Sequence, residues 1–303
     1  MSESNTATEA PKDIQDEIAA KTLDGSKLAQ EIQAGLLPEI SLVKEALGLV
    51  PGLAVILVGD NAASKIYVGH KEKACAKVGI KSFHYELPAS TTEQYVLELI
   101  DQLNANREVH GILVQLPLPK HIDPQKVIMA IDPEKDADGF HPMNLGKLLA
   151  DLPGAVVPCT PAGCLKLIDK SGMILEGKTA IVIGRSTIVG KPMAHLLLKR
   201  NATVTMCHSK TKGLAKITKA ADVIVVAVGK PRTLTGDMVK AGTVVIDVGM
   251  NRLDNGALCG DVDFETVAPI VKSITPVPKG VGPMTIAMLL KNTVELAKRQ
   301  IPS

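Results

Sequence analysis

Several features that define large classes of protein are scarce in this sequence. The longest apolar runs have the length of a strand, far below the roughly 20 residues that a membrane-spanning helix needs. The 34 basic and 32 acidic residues leave a formal net charge of +2, and the two signs are interspersed rather than clustered. We therefore expect that the protein binds neither a membrane nor nucleic acid.

Cysteine is also scarce. The five cysteines are scattered, odd in number and without the spacing of a zinc site, so we expect reduced thiols in a cytoplasmic protein. The first 20 residues carry five acids, one lysine and no apolar block, unlike a secretory signal or a transit peptide. We expect residues 1–21 to form a flexible, at most weakly helical extension.

The most informative segment covers residues 179–192. It predicts a buried strand over residues 180–183, a tight turn at Gly184 and a helix that opens at Gly190. Such a strand–turn–helix unit aims backbone N–H groups and the positive helix end at one point, which suits a phosphate. Ser186 replaces the second glycine of the dinucleotide fingerprint, and its hydroxyl can add a hydrogen bond. The alternative is an ordinary turn between a strand and a helix.

The segments that follow predict an open parallel sheet and its cofactor. Apolar runs at residues 203–206, 222–228 and 243–248 alternate with helix-length polar segments. An NAD-specific domain places a carboxylate after the second strand, but residues 207–211 contain none. With Arg185 and Lys210 nearby, the pattern suits a 2′-phosphate and therefore NADP. Alternatively, both cations are solvated surface charges.

A second α/β unit precedes this one. Strands are predicted over residues 52–58, 81–85 and 110–115, with a helix that ends at Gly79 and another after a capping box formed by Ser90 and Glu93. A last helix over residues 285–299 follows the complete cofactor unit, so we expect it to return to the first domain. The predicted domains are residues 22–159 with 275–303, and residues 160–274.

Lys71 is the strongest candidate for chemistry in the first domain. One face of its helix collects Ala63, Tyr67, Lys71, Ala74 and Val78 at helical spacing. Lys71 is the one cation centred on this stripe. Burial there would lower its pKa, and a lowered pKa would make it available for proton transfer. The alternative is a lysine at the rim of the core whose ammonium reaches solvent.

Two further polar residues follow predicted strands or turns. Gln115 closes an apolar strand at the edge where parallel sheets place ligand groups; alternatively, it caps the strand. Asp138 either supports an Asp-Gly turn or binds a ligand. A calcium loop over residues 134–145 is rejected because Leu145 stands where a bidentate glutamate is required, so no metal site is predicted.

Seven segments together resemble the bifunctional methylenetetrahydrofolate dehydrogenase/cyclohydrolase family, from about Leu23 onward. The segments are residues 63–71 (ASKIYVGHK), 111–119 (GILVQLPLP), 135–139 (KDADG), 158–161 (PCTP), 184–190 (GRSTIVG), 246–251 (IDVGMN) and 276–285 (PVPKGVGPMT). The resemblance implies two α/β domains around a cleft, the second a Rossmann-like, doubly wound parallel sheet that binds NADP. It also implies tetrahydrofolate derivatives as substrates and a homodimer formed through the cofactor domains.

The same resemblance assigns roles to individual residues. Lys71 would be the central catalytic residue, Tyr67 would pack against the folate, Gln115 would tune the protonation of Lys71, and Asp138 would anchor the pterin. The remaining substrate contacts would be Leu116, Pro278, Gly280 and Gly282, and the NADP site would contain Gly184, Arg185, Ser186, Ser209 and Met250. Lys279 departs from the family, which usually has glycine there; it either strains the loop or adds a cation near the folate.

The predicted reactions are NADP-dependent oxidation of 5,10-methylenetetrahydrofolate to the methenyl form and hydrolysis of that product to 10-formyltetrahydrofolate. Two alternatives stay open at this point. One is a monofunctional NAD-type dehydrogenase of the same fold, which Lys71 with Gln115 and the missing carboxylate near Ser209 disfavour. The other is a non-catalytic NADP-binding regulator, which the intact set of Tyr67, Lys71, Gln115 and Asp138 disfavours.

Overall fold

The structure is a computed structural model that describes residues 12–302 of the 303-residue chain. Its helices are α1 (Lys12–Lys21), α2 (Gly25–Gly35), α3 (Leu37–Leu47), α4 (Ala62–Val78), α5 (Glu93–Ala105), α6 (Pro124–Ala130), α7 (Pro142–Leu149), α8 (Cys159–Lys170), α9 (Gly190–Lys199), α10 (Leu214–Thr218), α11 (Phe264–Val267) and α12 (Val281–Lys298). Its strands are β1 (Gly52–Val58), β2 (Lys81–Leu87), β3 (Gly111–Val114), β4 (Thr179–Ile183), β5 (Thr203–Cys207), β6 (Val223–Val226), β7 (Val244–Asp247), β8 (Asn251–Arg252), β9 (Leu258–Cys259) and β10 (Ser273–Ile274).

The first domain is built on a three-stranded parallel sheet with the order β2-β1-β3. Every residue of β1 is buried because helices cover both of its faces. Leu53, Val55 and Leu57 share a core with residues of α4 and α12, whereas Ala54 and Ile56 share one with residues of α5. A strand buried on both sides needs an uninterrupted apolar run, which is why the predicted bounds of β1 agree with the structure.

The second domain is a five-stranded parallel sheet with the order β10-β7-β6-β4-β5. Alternate residues of β4 enter different cores: Ala180 and Val182 share one with residues of α8 and α9, and Ile181 and Ile183 share another with Val267 of α11. Helices therefore cover both faces, and the predicted doubly wound sheet is confirmed. The sequence did not predict β10, which has two residues.

Helix α12 joins the two halves of the molecule. It packs against α2, α3, α4, β1 and β3 of the first domain and against α8. The predicted return of the last helix to the first domain is therefore confirmed, although α12 begins four residues earlier than expected. Asn292 donates from its side-chain nitrogen to the carbonyl oxygens of Ala137 and Val157, each over 3.0 Å. Both bonds hold α12 against the segment that leads into α8.

The predicted N-terminal extension is helical in the part that the structure describes. Helix α1 forms residues 12–21, and residues 1–11 lie outside the described residues. Ile18 packs against one core of the second domain, and Thr22 pairs with Ile274 of β10. An isolated helix of this length is marginal, so we attribute the stability of α1 to these tertiary contacts. Within residues 12–302, no helix has the length and apolarity needed to span a membrane.

The predicted capping box at Ser90 and Glu93 is wrong in register. The cap of α5 is Thr92, whose hydroxyl accepts from the backbone N–H of Tyr95 over 3.2 Å. Glu93 instead accepts from the backbone N–H of Asp123 over 2.8 Å and pairs with Lys126 over 2.9 Å. A long-range contact with the segment that opens α6 has therefore replaced the local one.

Substitution of Thr92 tests this assignment. Thr92→Ala should lower the free energy of unfolding by about 0.5–2 kcal/mol, the usual effect of removing an N-cap hydroxyl. Ser90→Ala is the matched control and should change it by less than about 0.5 kcal/mol. Urea denaturation measures both variants, and a larger loss for Ser90→Ala would restore the capping box.

Candidate active site

Helix α4 buries Lys71 in the first domain. Asn61 caps the helix by accepting from the backbone N–H of Ser64 over 3.0 Å. The buried face consists of Ser64, Val68, Lys71, Cys75 and Val78. The predicted face was therefore wrong at Ala63, which is exposed, and at Tyr67, which is half-buried. Small residues on neighbouring faces left the rotation of the helix ambiguous, but Lys71 lies on the buried face as predicted.

Within residues 12–302, the Lys71 ammonium has one hydrogen-bond partner, Gln115. Lys71 Nζ donates to Gln115 Oε1 over 2.9 Å, and Gln115 Nε2 donates to the carbonyl oxygen of Leu116 over 2.7 Å. The second bond orients the amide so that its oxygen faces the ammonium. The structure therefore brings Lys71, Gln115 and Leu116 together as the sequence predicts.

Burial shifts the pKa values of Lys71 and of the nearby Asp138 carboxyl. Only 6% of Lys71 is exposed, and this burial lowers its pKa because a charged group loses hydration. Burial also raises the pKa of Asp138 to about 6, although the attraction of the Lys71 ammonium opposes that rise. Each group therefore counters part of the desolvation of the other, and the rise brings the pKa of Asp138 closer to neutral pH.

The turn that presents Asp138 is held by Asp136. The Asp136 carboxylate is buried and accepts from the backbone N–H groups of Gly139, Phe140 and His141 and from the side chain of Asn144. Asp138 is thus not needed to form the turn, which disfavours its turn interpretation and leaves its carboxylate for Lys71 and a ligand. The sequence analysis missed Asp136, because an Asp-x-Asp-Gly segment does not show which carboxylate closes the turn.

A cavity of about 590 Å³ lies beside Tyr67. Tyr67, Met250, Pro278, Gly280 and Gly282 all line it, and the Tyr67 hydroxyl donates to Met250 Sδ over 3.3 Å. This contact joins α4 to the loop after β7. Lys71, Gln115, Leu116 and Asp138 are not among the lining residues. The predicted substrate residues therefore form two adjacent groups, which α4 connects through Tyr67 and Lys71.

In the predicted phosphate turn, the backbone at Gly184 and the backbone at Gly190 approach each other closely. Gly184 has φ +137°, and its N–H donates to the carbonyl oxygen of Cys207 over 2.9 Å. A Cβ on Gly190 would overlap the carbonyl oxygen of Gly184, so the start of α9 lies directly against the turn. Ser186 Oγ accepts from the N–H groups of Val189 and Gly190 over 3.2 and 3.3 Å. Its hydroxyl hydrogen remains available to a ligand.

Arg185 and Ser209 each follow the carboxyl end of one of two neighbouring strands of the second sheet. Strands β4 and β5 are parallel, with Ile183 paired to Cys207, so the residues that follow them leave the sheet together. Both Arg185 and Ser209 are exposed. The edge thus presents a guanidinium and a hydroxyl, and residues 207–211 add no carboxylate. These groups fit a 2′-phosphate.

Two buried carboxylates shape the neighbouring loops, and sequence reasoning missed both. Asp247 accepts from the N–H groups of Gly249, Asp261 and Val262, each over 2.9 Å. Asp261 accepts from the N–H groups of three consecutive residues, 228–230, over 2.7–2.9 Å. Burial raises the pKa of Asp247 to about 7. The glycine in the segment IDVGMN was the one available signal, since a side chain at Gly249 would overlap Asp261.

Comparison with known proteins identifies the family. The model for the NAD(P)-binding domain of tetrahydrofolate dehydrogenase/cyclohydrolase matches residues 158–301, and the model for its catalytic domain matches residues 23–138. This chain belongs to the tetrahydrofolate dehydrogenase/cyclohydrolase family. The predicted family and the predicted pair of domain types are confirmed.

Relatives in this family are similar over nearly the whole chain. The bifunctional protein FolD of Acetivibrio thermocellus is 55% identical over 281 residues, which cover 93% of this chain and 98% of the relative. The crystal structure of the bifunctional enzyme FolD from Campylobacter jejuni has a TM-score of 0.89 and 51% identity, and covers 92% of this chain and 99% of that one. The Trypanosoma brucei dehydrogenase-cyclohydrolase, solved with NADP and an inhibitor, has a TM-score of 0.90 and 40% identity over 94% of this chain and 99% of that one.

These similarities confirm the predicted enzyme class, the dehydrogenase and cyclohydrolase activities, and NADP as the cofactor. They favour the bifunctional prediction over both alternatives, the monofunctional NAD-type enzyme and the non-catalytic regulator. Among residues 12–302, no group of three or more His, Cys, Asp or Glu residues is placed to hold a metal ion.

The raised pKa of Asp138 predicts a pH-dependent stability. Between its ordinary pKa of 3.8 and about 6, the folded state binds more protons than the unfolded state, so this carboxyl lowers stability as the pH rises through that window. Asp138→Asn removes the ionisation. We expect it to raise the free energy of unfolding by about 1–3 kcal/mol at pH 8, with little change at pH 4.

Urea denaturation at the two pH values measures this difference. Asp136→Asn is the matched control; because it removes a carboxylate that holds a turn, it should destabilise the protein at pH 8. A loss of stability at pH 8 for Asp138→Asn would show that the Asp138 carboxylate is stabilised rather than penalised by its surroundings.

Proposed function

We propose that Lys71, Gln115 and Asp138 form one catalytic centre for both reactions of the family: NADP-dependent oxidation of 5,10-methylenetetrahydrofolate and hydrolysis of the methenyl product to 10-formyltetrahydrofolate. The observation that carries this proposal is the buried Lys71 ammonium, bonded to Gln115 over 2.9 Å with its pKa lowered by burial. Burial favours the neutral amine, which is the form of lysine that can accept a proton.

In the oxidation, the chain contributes binding and orientation. When bound, NADP would supply the hydride acceptor for the methylene carbon. Tyr67 supports the folate from α4, and Asp138 accepts hydrogen bonds from the pterin. The charged form of Lys71 holds the substrate close to the cofactor domain, which the Tyr67–Met250 contact brings to the same cleft.

In the hydrolysis, Lys71 moves protons. Water adds to the methenyl carbon and loses a proton, which the neutral Lys71 amine accepts. The bond from that carbon to N5 then breaks as N5 takes up the proton held by Lys71 and the new hydroxyl group releases its own proton to solvent, so that the carbon becomes the formyl group on N10. Gln115 keeps the lysine nitrogen directed at this position. Its amide nitrogen donates to the Leu116 carbonyl, and this bond fixes the amide oxygen that accepts from Lys71.

The cofactor would lie along the carboxyl edge of the second sheet. Gly184 and Ser186 would contact the diphosphate at the start of α9, where the helix end favours an anion. Arg185 and Ser209 would bind the 2′-phosphate, and Met250 would lie near the nicotinamide end because it contacts Tyr67. Leu116, Pro278, Gly280 and Gly282 would complete the folate site, the last three from the wall of the cavity.

The functional unit we propose is a cytoplasmic homodimer formed through the cofactor domains. Strand β5 lies at an edge of its sheet. Beside it, an apolar groove of about 500 Å³ between α7 and α9 contains the exposed Leu149 and Leu198. A second copy that covers this groove would bury both leucines. All five cysteines are unpaired and four are buried, which suits the cytoplasm.

Replacement of Lys71 tests the shared centre. Lys71→Met should reduce cyclohydrolase activity by at least ~10²–10⁴-fold, the usual contribution of a proton-transfer group, while NADP binding and the fold are retained. The dehydrogenase rate should also fall, because the ammonium positions the folate. Spectrophotometric assays of the two steps and titration with NADP measure these effects.

The double variant provides the control for Gln115. Gln115→Ala should lower activity in the native background, yet should cost little more once Lys71 is methionine, because it acts through that lysine. A Lys71→Met enzyme that still hydrolyses methenyltetrahydrofolate well above the uncatalysed rate would remove Lys71 from the mechanism.

Arg185 determines the cofactor in this proposal. Arg185→Ala should weaken NADP binding by roughly 1.5–3 kcal/mol, the value of one charged hydrogen bond, and should weaken NAD binding far less. Isothermal titration with both cofactors measures the difference. Lys219→Ala is the control, since Lys219 is exposed and precedes β6 at the opposite edge of the sheet. Equal losses for NADP and NAD would show that Arg185 does not contact the 2′-phosphate.

A further inference from the structure

Helix α1 precedes the first domain in sequence but docks on the second. It lies before the match to the catalytic-domain model, which covers residues 23–138. Ile18 is half-buried against the core that contains Ile274, and Lys21 Nζ donates to the carbonyl oxygen of Pro269 over 3.0 Å. The next helix, α2, packs against α12. The chain therefore crosses from the second domain to the first between α1 and α2.

The segment between α1 and α2 pairs with the edge of the second sheet. Strand β10 lies at that edge, and Thr22 forms a parallel bridge with Ile274 of this strand. The N–H of Leu23 donates to the carbonyl oxygen of Ile274 over 2.8 Å. The Thr22 hydroxyl donates to the carbonyl oxygen of Ile18 over 2.8 Å. The docked helix and the paired segment are therefore joined into one unit.

The same segment holds the loop of residues 276–280, which lines the cavity of the candidate active site. We call this the folate loop. The N–H of Ser26 donates to the carbonyl oxygen of Lys279 over 3.1 Å. Gly25 lies so close to Gly280 that a Cβ on Gly25 would overlap the Gly280 carbonyl oxygen. The folate loop is thus held at its start by the pairing with β10 and at its end by the first turn of α2.

The folate loop needs this support because one of its residues is strained. Lys279 has φ +82°, a left-handed conformation that residues other than glycine rarely adopt. Such a conformation persists only where neighbouring groups hold it. The Ser26 N–H bonds the carbonyl oxygen of this same residue. Release of residues 22–26 from β10 would therefore let Lys279 relax and the loop change shape.

We infer that Ile18 and Lys21 are positioning residues for the folate loop. By docking α1 on the second domain they hold residues 22–26, and these residues hold the loop in the shape that binds the substrate. This inference rests on the proposed function, because the loop is part of the proposed folate site. Undocking of α1 would lower the fraction of molecules with a correctly formed loop, and the apparent affinity for folate falls by that fraction. Both reactions use the same loop, so both would be affected equally.

Ile18→Ser tests this role by removing the apolar contact of α1. If it leaves about one third of the molecules with a formed loop, the Michaelis constants for methylenetetrahydrofolate and methenyltetrahydrofolate should both rise about threefold. We expect unchanged kcat values and an unchanged dissociation constant for NADP, because the proposed NADP site follows β4 and β5, away from the β10 edge. Hydrogen exchange measured by mass spectrometry should become faster at the N–H groups of Leu23 and Ser26, since these groups lose their bonds to the loop and to β10.

Three further variants identify the cause. Ile18→Val keeps the apolar contact and should keep the native constants. Ala20→Ser adds a hydroxyl at an exposed position of the same helix and should also leave them unchanged. Lys21→Met removes the bond to the Pro269 carbonyl and should raise both Michaelis constants. It changes a single side chain at the end of α1, and it serves as the test if Ile18→Ser does not fold.

The outcomes separate this inference from the proposed function. A native enzyme that does not oxidise methylenetetrahydrofolate with NADP would contradict the proposed function itself. Native Michaelis constants in both Ile18→Ser and Lys21→Met would overturn the positioning role alone, whatever the exchange rates. Equal weakening of NADP and folate binding would also overturn it, because that result indicates a general loosening of the molecule rather than an effect through the folate loop.

Discussion

Burial of the Lys71 ammonium is the constraint on which the rest of the active site depends. A lysine that is 6% exposed loses most of its hydration, and its charged form persists only if nearby groups replace water. Gln115 supplies a hydrogen-bond acceptor, and Asp138 supplies an opposite charge. The three residues belong to α4, to the end of β3 and to the turn held by Asp136. The fold must therefore fix three separate segments before the ammonium is stable there.

Helix α12 provides much of that fixation. It packs against α4, which carries Lys71, and against β3, which ends just before Gln115. Its Asn292 side chain also donates to the carbonyl oxygen of Ala137, the residue before Asp138. The same helix packs against α8, whose residues share a core with the second sheet. One continuous core therefore supports both the segments around Lys71 and the strands of the second sheet. Because protein interiors are close-packed, this core fixes the position of the first domain relative to the second.

The sequence predicts best where one structural solution satisfies the local pattern. Strand β1 needs apolar residues at every position, so its bounds were correct, and Lys71 is conspicuous on any buried face of α4. Prediction failed where long-range contacts decide between similar local options. Thr92 rather than Ser90 caps α5 because Glu93 bonds the segment at Asp123. Asp247 and Asp261 hold loops through backbone N–H groups that are distant in sequence, and no local pattern identifies such partners.

The proposed centre would serve both reactions because the second substrate would form where the first was bound. In the proposed mechanism, the methenyl carbon produced by hydride transfer would already lie beside Lys71, so hydrolysis would need a change in the protonation of that lysine rather than a second site. The two proposed steps need different protonation states of Lys71. The charged ammonium would orient the folate, and the neutral amine would accept the proton of water. A lysine with an ordinary pKa would remain charged at neutral pH. Burial lowers that pKa and so favours the neutral amine, while Asp138 and Gln115 stabilise the charged form, and these opposing effects suit Lys71 to both proposed roles.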